Sequence, residues 1–199
     1  MKKSGSYHHG DLRSGLVDAV RHLVEENGPD RFSVADACRI AGVSTAAPYR
    51  HFADRDAMLM AVAVEGIRRQ RATMEGGLSG PGHGPGSDAA IVSIGMGYVS
   101  FACAEPGVFR LIFGLTRTHG DDPDMVAEGM QTYSVLLTQV AHRLGKAEID
   151  ADVTRLSFPL WAFVHGLSFL LTDEKVTALK LDVDLPDMMA ETVRKLLAG

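Results

Sequence analysis

The fold is decided by the stretch Ser33-Val-Ala-Asp-Ala-Cys-Arg-Ile-Ala-Gly-Val-Ser-Thr-Ala-Ala-Pro-Tyr-Arg-His-Phe52. Ser33 is a strong N-cap residue, and Asp36 three positions later completes an acidic variant of the capping box. These residues predict a short helix that ends just before Gly42, which can take a left-handed backbone conformation at little cost. Ser44 is predicted to cap a second helix that runs to about Phe52. Two short helices joined by a tight turn form a helix-turn-helix unit.

Helical periodicity continues on both sides of this unit. Apolar residues at three- and four-residue spacing predict a helix from about Leu12 to Asn27, and Asp54 caps another that ends near Met74. Pro159 is expected to kink its helix or to mark the helix start. No long alternating run of β-branched and aromatic residues predicts a strand, so the fold class is all-α. Further helices are predicted at residues 88–104, 106–116, 121–145, 150–172 and 185–198.

One change of composition divides the chain. Residues 75–87 are rich in glycine and proline, which is typical of a loop or flexible linker. We expect an N-terminal three-helix domain over residues 10–70, with its motif at 33–52, and a C-terminal helical bundle over 88–199. Residues 1–71 carry 11 Lys and Arg against 9 Asp and Glu, whereas the remainder carries 9 against 16. A mildly basic N-terminal part on an acidic body is compatible with binding a polyanion at one end.

The composition argues against several classes of protein. Hydrophobic residues make up 46% of the 199 residues, which is too many for a disordered or low-complexity chain. The two cysteines, Cys38 and Cys103, lack the spacing of a zinc ribbon, and neither a metal ion nor a cofactor is expected. The apolar stretch Phe158–Leu171 is too short to span a membrane, and the N-terminus lacks the apolar segment of a secretory signal. We therefore expect a cytoplasmic protein.

Four segments within residues 10–70 carry a likeness to a known family: Ile40-Ala-Gly-Val-Ser44, Tyr49-Arg-His-Phe52, Arg55 and Met58-Leu59. Together they resemble the signature of the TetR family of transcriptional regulators. The resemblance implies an all-α homodimer. In this family the N-terminal three helices bind double-stranded DNA, and the C-terminal helices bind a small ligand and the partner subunit.

Other segments are similar to a TetR subgroup whose C-terminal domain is named for a Trp-His-Gly motif. They are Tyr7-His-His-Gly-Asp-Leu-Arg13, Ala47-Pro-Tyr-Arg-His-Phe52, Gly107-Val-Phe-Arg-Leu-Ile-Phe-Gly114 and Trp161-Ala-Phe-Val-His-Gly-Leu167. This second likeness extends the resemblance over most of the chain.

The resemblance also implies roles for residues of the motif. Four residues resemble the family's phosphate-positioning residues: Ser33, Tyr49, His51 and Arg55. Three others, Ser44, Thr45 and Ala46, occupy the exposed start of the recognition helix, where base edges are read. Arg50 is a candidate for a contact to guanine or phosphate. Lys2 and Lys3 are candidates for a flexible arm that follows the DNA backbone or minor groove. Pro48 departs from the family pattern and removes one backbone donor, so it can shift the start of this helix.

Aromatic side chains of the C-terminal part are candidates for a ligand site. Trp161 and His165 lie four residues apart on one predicted helix face, a pattern that a packed core with one satisfied histidine also produces. The candidates are Phe101, Phe109, Phe113, Tyr133, Trp161, His165 and Phe169. Their spacing does not distinguish a pocket from a core. His8 and His9 with Asp11 fit a terminal arm better than a metal site.

The sequence favours a homodimeric repressor that leaves a palindromic DNA operator when a small-molecule effector binds. An alternative is a helical interaction module, or a small-molecule-binding protein, that no longer binds DNA. That alternative predicts damage to the motif, but Gly42, Tyr49, His51 and Phe52 are all present. An enzyme is disfavoured because no GxGxxG, P-loop, GxSxG or HExxH motif occurs. Repressor and activator are not distinguished, and neither the operator nor the effector is identified.

The helices at 150–172 and 185–198 are expected to form the dimer interface. The first carries an apolar face, and the second is short enough to need a packing partner. The apolar residues in question are Leu156, Leu160, Phe163 and Leu167, with Met188, Met189, Val193, Leu196 and Leu197. The same residues could instead face the core of their own chain.

Overall fold

The computed structural model describes residues 9–119 and 122–198, and within these ranges it contains helices and no strands. The helices are α1 (His9–Asn27), α2 (Val34–Ala41), α3 (Arg55–Gly76), α4 (Asp88–Ala104), α5 (Pro106–His119), α6 (Pro123–Arg143), α7 (Ala151–Thr172), α8 (Lys175–Ala178) and α9 (Leu185–Leu197), with short 3₁₀ helices at Pro48–Arg50 and Gly77–Ser79. The all-α prediction is confirmed. The one-turn helix α8 was not predicted, because four residues are too few to show a period.

Local sequence signals set most of the helix starts. The side chains of Ser33, Ser87, Asp122 and Asp150 each accept a backbone N–H from the first turn of the following helix. Each contact satisfies a donor that has no partner within its own helix. The expectation that Pro159 marks a helix start is wrong, because Asp150 already caps α7 and the helix continues through Pro159.

The chain separates into two compact units. The first contains residues 9–66 and 107–119 among those described. Its core is built from buried apolar side chains of α1, α2, α3 and α5 together with Phe52. The carboxylate of Glu25 in α1 accepts the N–H groups of Gly107 at 2.9 Å and Val108 at 2.8 Å. A carboxylate at this position stabilises the start of α5, where the helix dipole favours negative charge.

The second unit contains residues 67–106 and 122–198 among those described. Helix α4 packs against α6, α7 and α9, and two glycines allow close approach. A Cβ at Gly97 would lie 2.7 Å from the carbonyl oxygen of Thr73, and one at Gly95 would lie 2.8 Å from the sulfur of Met189. One cluster of its core consists of Ile91, Leu136, Leu137, Val140, Ala141, Val153, Leu160, Val193 and Leu197.

Much of the apolar face predicted for the dimer interface belongs to this core. Five of the residues are buried within their own chain: Leu160, Leu167, Met189, Val193 and Leu197. They are buried because α7 and α9 turn these residues toward α4 and α6. The large apolar residues that α7 exposes are Phe158, at 58%, and Leu170, at 51%.

None of the described helices is by itself long and apolar enough to cross a membrane. Helix α4 and the first part of α5 meet that test only as a pair, which is bent by 102°. Among the described residues, no group of three or more His, Cys, Asp or Glu side chains is placed to hold a metal ion. Lys2, Lys3 and His8 lie outside the described residues, as do the side chains of His9 and Asp11.

Candidate nucleic-acid interface

The first helix of the motif is fixed at both ends. The Ser33 hydroxyl accepts the N–H of Asp36 at 3.1 Å and donates to its carboxylate at 2.7 Å. The hydrogen bond from Arg39 holds the pKa of Asp36 below its ordinary value. Gly42 ends α2 with a φ of 68°, and the next N–H, that of Val43, donates to the Cys38 carbonyl at 2.9 Å. The predicted cap and turn are therefore confirmed, and Cys38 is a buried core residue.

The second helix of the motif differs from the prediction. The prediction of a continuous α-helix capped by Ser44 is wrong. Within residues 44–52 only Pro48–Arg50 is helical, and it forms one 3₁₀ turn. An α-helix that starts after Ser44 needs the N–H of residue 48 to donate to the Ser44 carbonyl, and proline has no N–H. The N–H of Ala47 donates to that carbonyl instead, at 3.0 Å. The first hydrogen bond of the predicted helix is therefore missing, and the segment forms consecutive tight turns.

These turns present a continuous exposed surface. We call Ser44, Thr45, Ala46, Tyr49 and Arg50, all of which are exposed, the 44–50 surface. The side chain of Tyr49 is 61% exposed, an unusual position for a large aromatic residue. Pro48 and Phe52 are buried beneath it and anchor the segment to the core of the first unit. Short turns on rigid anchors can hold side chains in fixed positions for a partner.

Two of the three remaining predicted phosphate contacts follow this surface in the sequence. His51 is half-buried, and Arg55 is half-buried at the start of α3. The Arg55 guanidinium donates to the carbonyl of Pro29 at 2.6 Å and lies 4.4 Å above the centre of the Phe32 ring. Arg55 therefore joins α3 to the loop between α1 and α2. Its contact with phosphate stays a prediction, as does that of Ser33, whose hydroxyl is used by the cap.

The charge at this surface comes mainly from Arg50. Among the described residues, Arg50 has no ion-pair partner, whereas Arg39 on the neighbouring helix is paired with Asp36 at 2.8 Å. Asp54 accepts the N–H of Ala57 at 2.8 Å and so serves as the cap of α3. A cation beside exposed hydroxyl groups is the arrangement that contacts phosphate and base edges in DNA complexes.

Comparison with known proteins agrees with this geometry. The family described as "Bacterial regulatory proteins, tetR family" matches residues 16–62, and the family described as "Tetracyclin repressor-like, C-terminal domain" matches residues 91–196. The second match alone covers more than half of the chain. The chain belongs to the TetR family. It is a TetR-type transcriptional regulator with an N-terminal helix-turn-helix DNA-binding domain and a C-terminal helical domain.

Full-length relatives have the same organisation. The uncharacterized HTH-type transcriptional regulator YobS of Bacillus subtilis is 23% identical over 92% of this chain and 90% of its own length. A protein of unknown function from Rhodococcus sp. RHA1 matches with a TM-score of 0.81 and 27% identity over 98% of both chains. A TetR-family regulator from Streptomyces coelicolor, 15% identical, matches with a TM-score of 0.72 over 96% of this chain and 81% of its own. This last likeness concerns the fold alone.

The predicted ligand residues are divided between the two units. Phe109 and Phe113 belong to the first unit, where their ring centres lie 4.9 Å apart. The others belong to the second unit, where Phe101 is buried in α4. Three ring contacts join the remaining four: Tyr133 to Trp161 at 5.3 Å, Trp161 to His165 at 6.0 Å, and His165 to Phe169 at 5.1 Å. The structure therefore brings four of the seven candidate ligand residues into one aromatic group, namely Tyr133, Trp161, His165 and Phe169.

Sequence reasoning missed two residues beside this aromatic group. The Tyr98 hydroxyl lies 2.9 Å from Nδ1 of His165. Burial raises the pKa of Tyr98 well above its ordinary value and lowers the pKa of His165. Gln70 of α3 is also buried. It was missed because it lies within the run Arg68-Arg69-Gln70-Arg71, which suggests a solvated helix face.

Arg55 and Arg50 give a matched pair of arginines with different expected effects on stability. The Arg55→Ala variant should lower the free energy of unfolding by about 1–3 kcal/mol, because partly buried carbonyl groups lose a charged donor and Phe32 loses its cation contact. The Arg50→Ala variant should change it by less than about 0.5 kcal/mol, because Arg50 is exposed. Urea unfolding followed by circular dichroism measures both. Equal effects of the two substitutions would contradict the structural role of Arg55.

Proposed function

We propose that this regulator is a repressor that binds a palindromic DNA operator as a homodimer and leaves it when a small-molecule effector binds. The observation that carries the proposal is the 44–50 surface, which combines exposed hydroxyl groups, an exposed tyrosine and a cation above buried anchors. We infer no catalytic activity, and we place the protein in the cytoplasm, where its DNA would be.

Within this proposal the residues divide into two groups by the part of DNA that they contact. Ser44, Thr45 and Ala46 read base edges in the major groove, because they are exposed at the start of the recognition turns. Contacts to phosphate come from Tyr49, Arg50 and His51, with Ser33 and Arg55 at the margin. Phosphate contacts fix the position and orientation of the protein without reading sequence.

We also propose a division of labour along the chain. Residues 10–70 carry the DNA-binding surface, and residues 75–87 form a glycine- and proline-rich loop. Residues 88–199 bind the partner subunit and, together with the end of α3, the effector. Helix α3 itself continues through Gly76, so the irregular part of that loop is 80–87. The likeness to the Trp-His-Gly subgroup is supported by the placement of Trp161 and His165 in one aromatic group.

The dimer is proposed to form through an exposed face of α7. Four residues at four-residue spacing, Phe158, Ala162, Gly166 and Leu170, form a stripe of exposed side chains that we call the α7 stripe. Ridges at this spacing are the ones that interdigitate when two helices cross. The small residues in its middle allow close approach, and apart from its chain neighbours and the backbone of α7 itself, no described atom lies within 4 Å of a Cβ built at Gly166. A second copy of α7 is the proposed partner.

Release by an effector would act through α3. The first part of this helix, to Gly66, belongs to the first unit, and the part from Ile67 belongs to the second. A continuous helix carries a displacement of one of its ends to the other. An effector that binds better to one position of α3 therefore shifts the population of dimers whose recognition turns fit two successive major grooves.

Substitution of Thr45 tests the reading of base edges. The Thr45→Arg variant should change the preferred base at one position of the DNA that the unmodified chain selects from a random-sequence library. Its affinity for the original DNA should fall by about 1–3 kcal/mol. The Tyr49→Phe variant serves as the control, and it should weaken binding to all sequences by a similar factor. The same preferred sequence for Thr45→Arg and the parent would contradict the assignment.

Substitution of Gly166 tests the dimer. The Gly166→Arg variant should be monomeric in sedimentation velocity at micromolar concentration, because a charged side chain would lie in the middle of the α7 stripe. Its own fold has open space at this position. The matched control is Ala89→Arg, at an exposed position of α4, which should stay dimeric. An unchanged dimer in Gly166→Arg would remove the α7 stripe from the interface.

A further inference from the structure

The buried amide of Gln70 is an unusual feature of the second unit. Gln70 is only 3% exposed, and its Nε2 makes no hydrogen bond to any of the described residues. A buried donor without an acceptor costs on the order of 1–3 kcal/mol, so folded proteins keep few of them. The amide lies near the Tyr98 hydroxyl without meeting the geometry of a hydrogen bond to it, so the retained donor points to a better placed acceptor that comes from outside the chain.

Other polar groups lie beside this amide. The side chains of Gln70 and Trp161 are close enough to the Tyr98 hydroxyl to oppose the rise that burial causes in the Tyr98 pKa. The same hydroxyl lies 2.9 Å from Nδ1 of His165. The hydroxyl of Tyr133 is also buried without a partner among the described residues, and its ring contacts that of Trp161. Two unsatisfied polar atoms thus border one aromatic group.

The charge state of this group limits what it can bind. Burial keeps the Tyr98 hydroxyl protonated and favours the neutral form of the His165 imidazole near pH 7. The buried carboxylate of the unit, that of Glu128, already accepts hydrogen bonds from Arg68 at 2.7 Å and Arg71 at 2.8 Å. An ionised ligand beside Gln70 would lose its hydration without gaining a counter-charge, which is strongly unfavourable. The site therefore suits an uncharged molecule.

We propose that Gln70, Tyr98, Tyr133 and His165 form the effector site, and that the effector is an uncharged, flat molecule with a carbonyl-type acceptor. The acceptor receives the Gln70 amide, and the flat body packs on the rings of Trp161 and its neighbours. Aromatic walls with a few placed polar groups are typical of small-molecule sites. This inference rests on the proposed function, because it gives a chemical class to the effector that releases the DNA.

The position of Gln70 on α3 connects this site to regulation. Its neighbours in the same turn hold α3 to other helices of the second unit. Arg69 makes a bidentate pair with Glu105 at 2.8 and 2.6 Å, and Arg68 and Arg71 pair with Glu128. A hydrogen bond from an effector to Gln70 therefore acts on α3 directly.

The experiment uses the unmodified full chain and three ligands of similar shape. Acetophenone carries an aromatic ring and a carbonyl, ethylbenzene lacks the acceptor, and benzoate replaces it with a charge. Trp161 is the only tryptophan in the chain, so its indole N–H gives a single cross-peak in a ¹⁵N–¹H spectrum. Acetophenone should move this peak saturably and should bind roughly ten times more tightly than ethylbenzene. A tenfold difference in affinity is the ordinary contribution of one hydrogen bond. Benzoate should bind more weakly still.

A variant of similar shape isolates the role of the amide. Gln70→Met should weaken acetophenone binding about tenfold and change ethylbenzene binding less than twofold. The control is Glu148→Met, at an exposed position before α7, which should bind all three ligands as the parent does. Equal losses for acetophenone and ethylbenzene in Gln70→Met would contradict the proposed hydrogen bond.

The comparison of three ligands on the parent tests the chemical class even where the variant is unstable. No saturable shift with acetophenone, or tighter binding of benzoate, would overturn the proposal. DNA binding by the same samples is measured separately without ligand. A parent that binds DNA but not acetophenone refutes this effector class alone, whereas a parent that binds no DNA refutes the proposed function.

Discussion

The position of the second half of α3 depends on three arginines that are paired with two carboxylates. Arg68 and Arg71 pair with Glu128, and Arg69 with Glu105 at the corner between α4 and α5. Glu128 is largely buried, whereas the Arg68 side chain is 53% exposed. Solvent therefore screens these pairs in part, and removing one partner is less destabilising than in a fully buried pair. The hydrogen bond from Arg68 holds the pKa of Glu128 below its ordinary value. This contribution to stability is present at neutral pH and is lost as pH falls through the lowered pKa.

A second set of contacts fixes α5 within the first unit. The Glu25 carboxylate accepts two N–H groups at the start of α5, and Gly107 leaves room for the approach, since a Cβ there would lie 2.6 Å from the Val24 carbonyl oxygen. Among the described residues, the chain thus passes between the units within α3 and at the α4–α5 corner. A charged side chain contacts the chain on each side of the corner. Arg69 of α3 pairs with Glu105 just before it, and Glu25 accepts the N–H of Gly107 just after it. Regulation that alters α3 would have to work against these anchors.

Sequence reasoning succeeded where one residue controls one local structure. Ser33 and Asp54 cap helices as predicted, and Gly42 takes the expected left-handed conformation. It failed for the second motif helix, although Pro48 was recognised as a departure, because the length of helix that remains depends on the packing of Phe52 and the turns around it. Capping and turn conformation are local properties, and such packing is not.

The candidate sites show the same limit. The exposure of Thr45 and Tyr49 follows from the motif, but the contact of Arg55 with the Pro29 carbonyl joins residues far apart in sequence. Gln70 could not be distinguished from its arginine neighbours, because burial of one face of α3 is a property of the folded unit. The burial of Val193 and Leu197 in their own core was likewise open until the packing of α9 was known. Tertiary contacts decide these roles, whereas spacing along the chain only proposes them.

The central claim, that the 44–50 surface of a dimer reads a symmetric DNA site, is tested most directly by hydroxyl-radical footprinting. The full chain would be bound to DNA selected from a random-sequence library. The account predicts two protected patches related by symmetry, with centres about 34–36 Å apart along the duplex or a small multiple of that distance. A single unpaired patch at every bound site would contradict it.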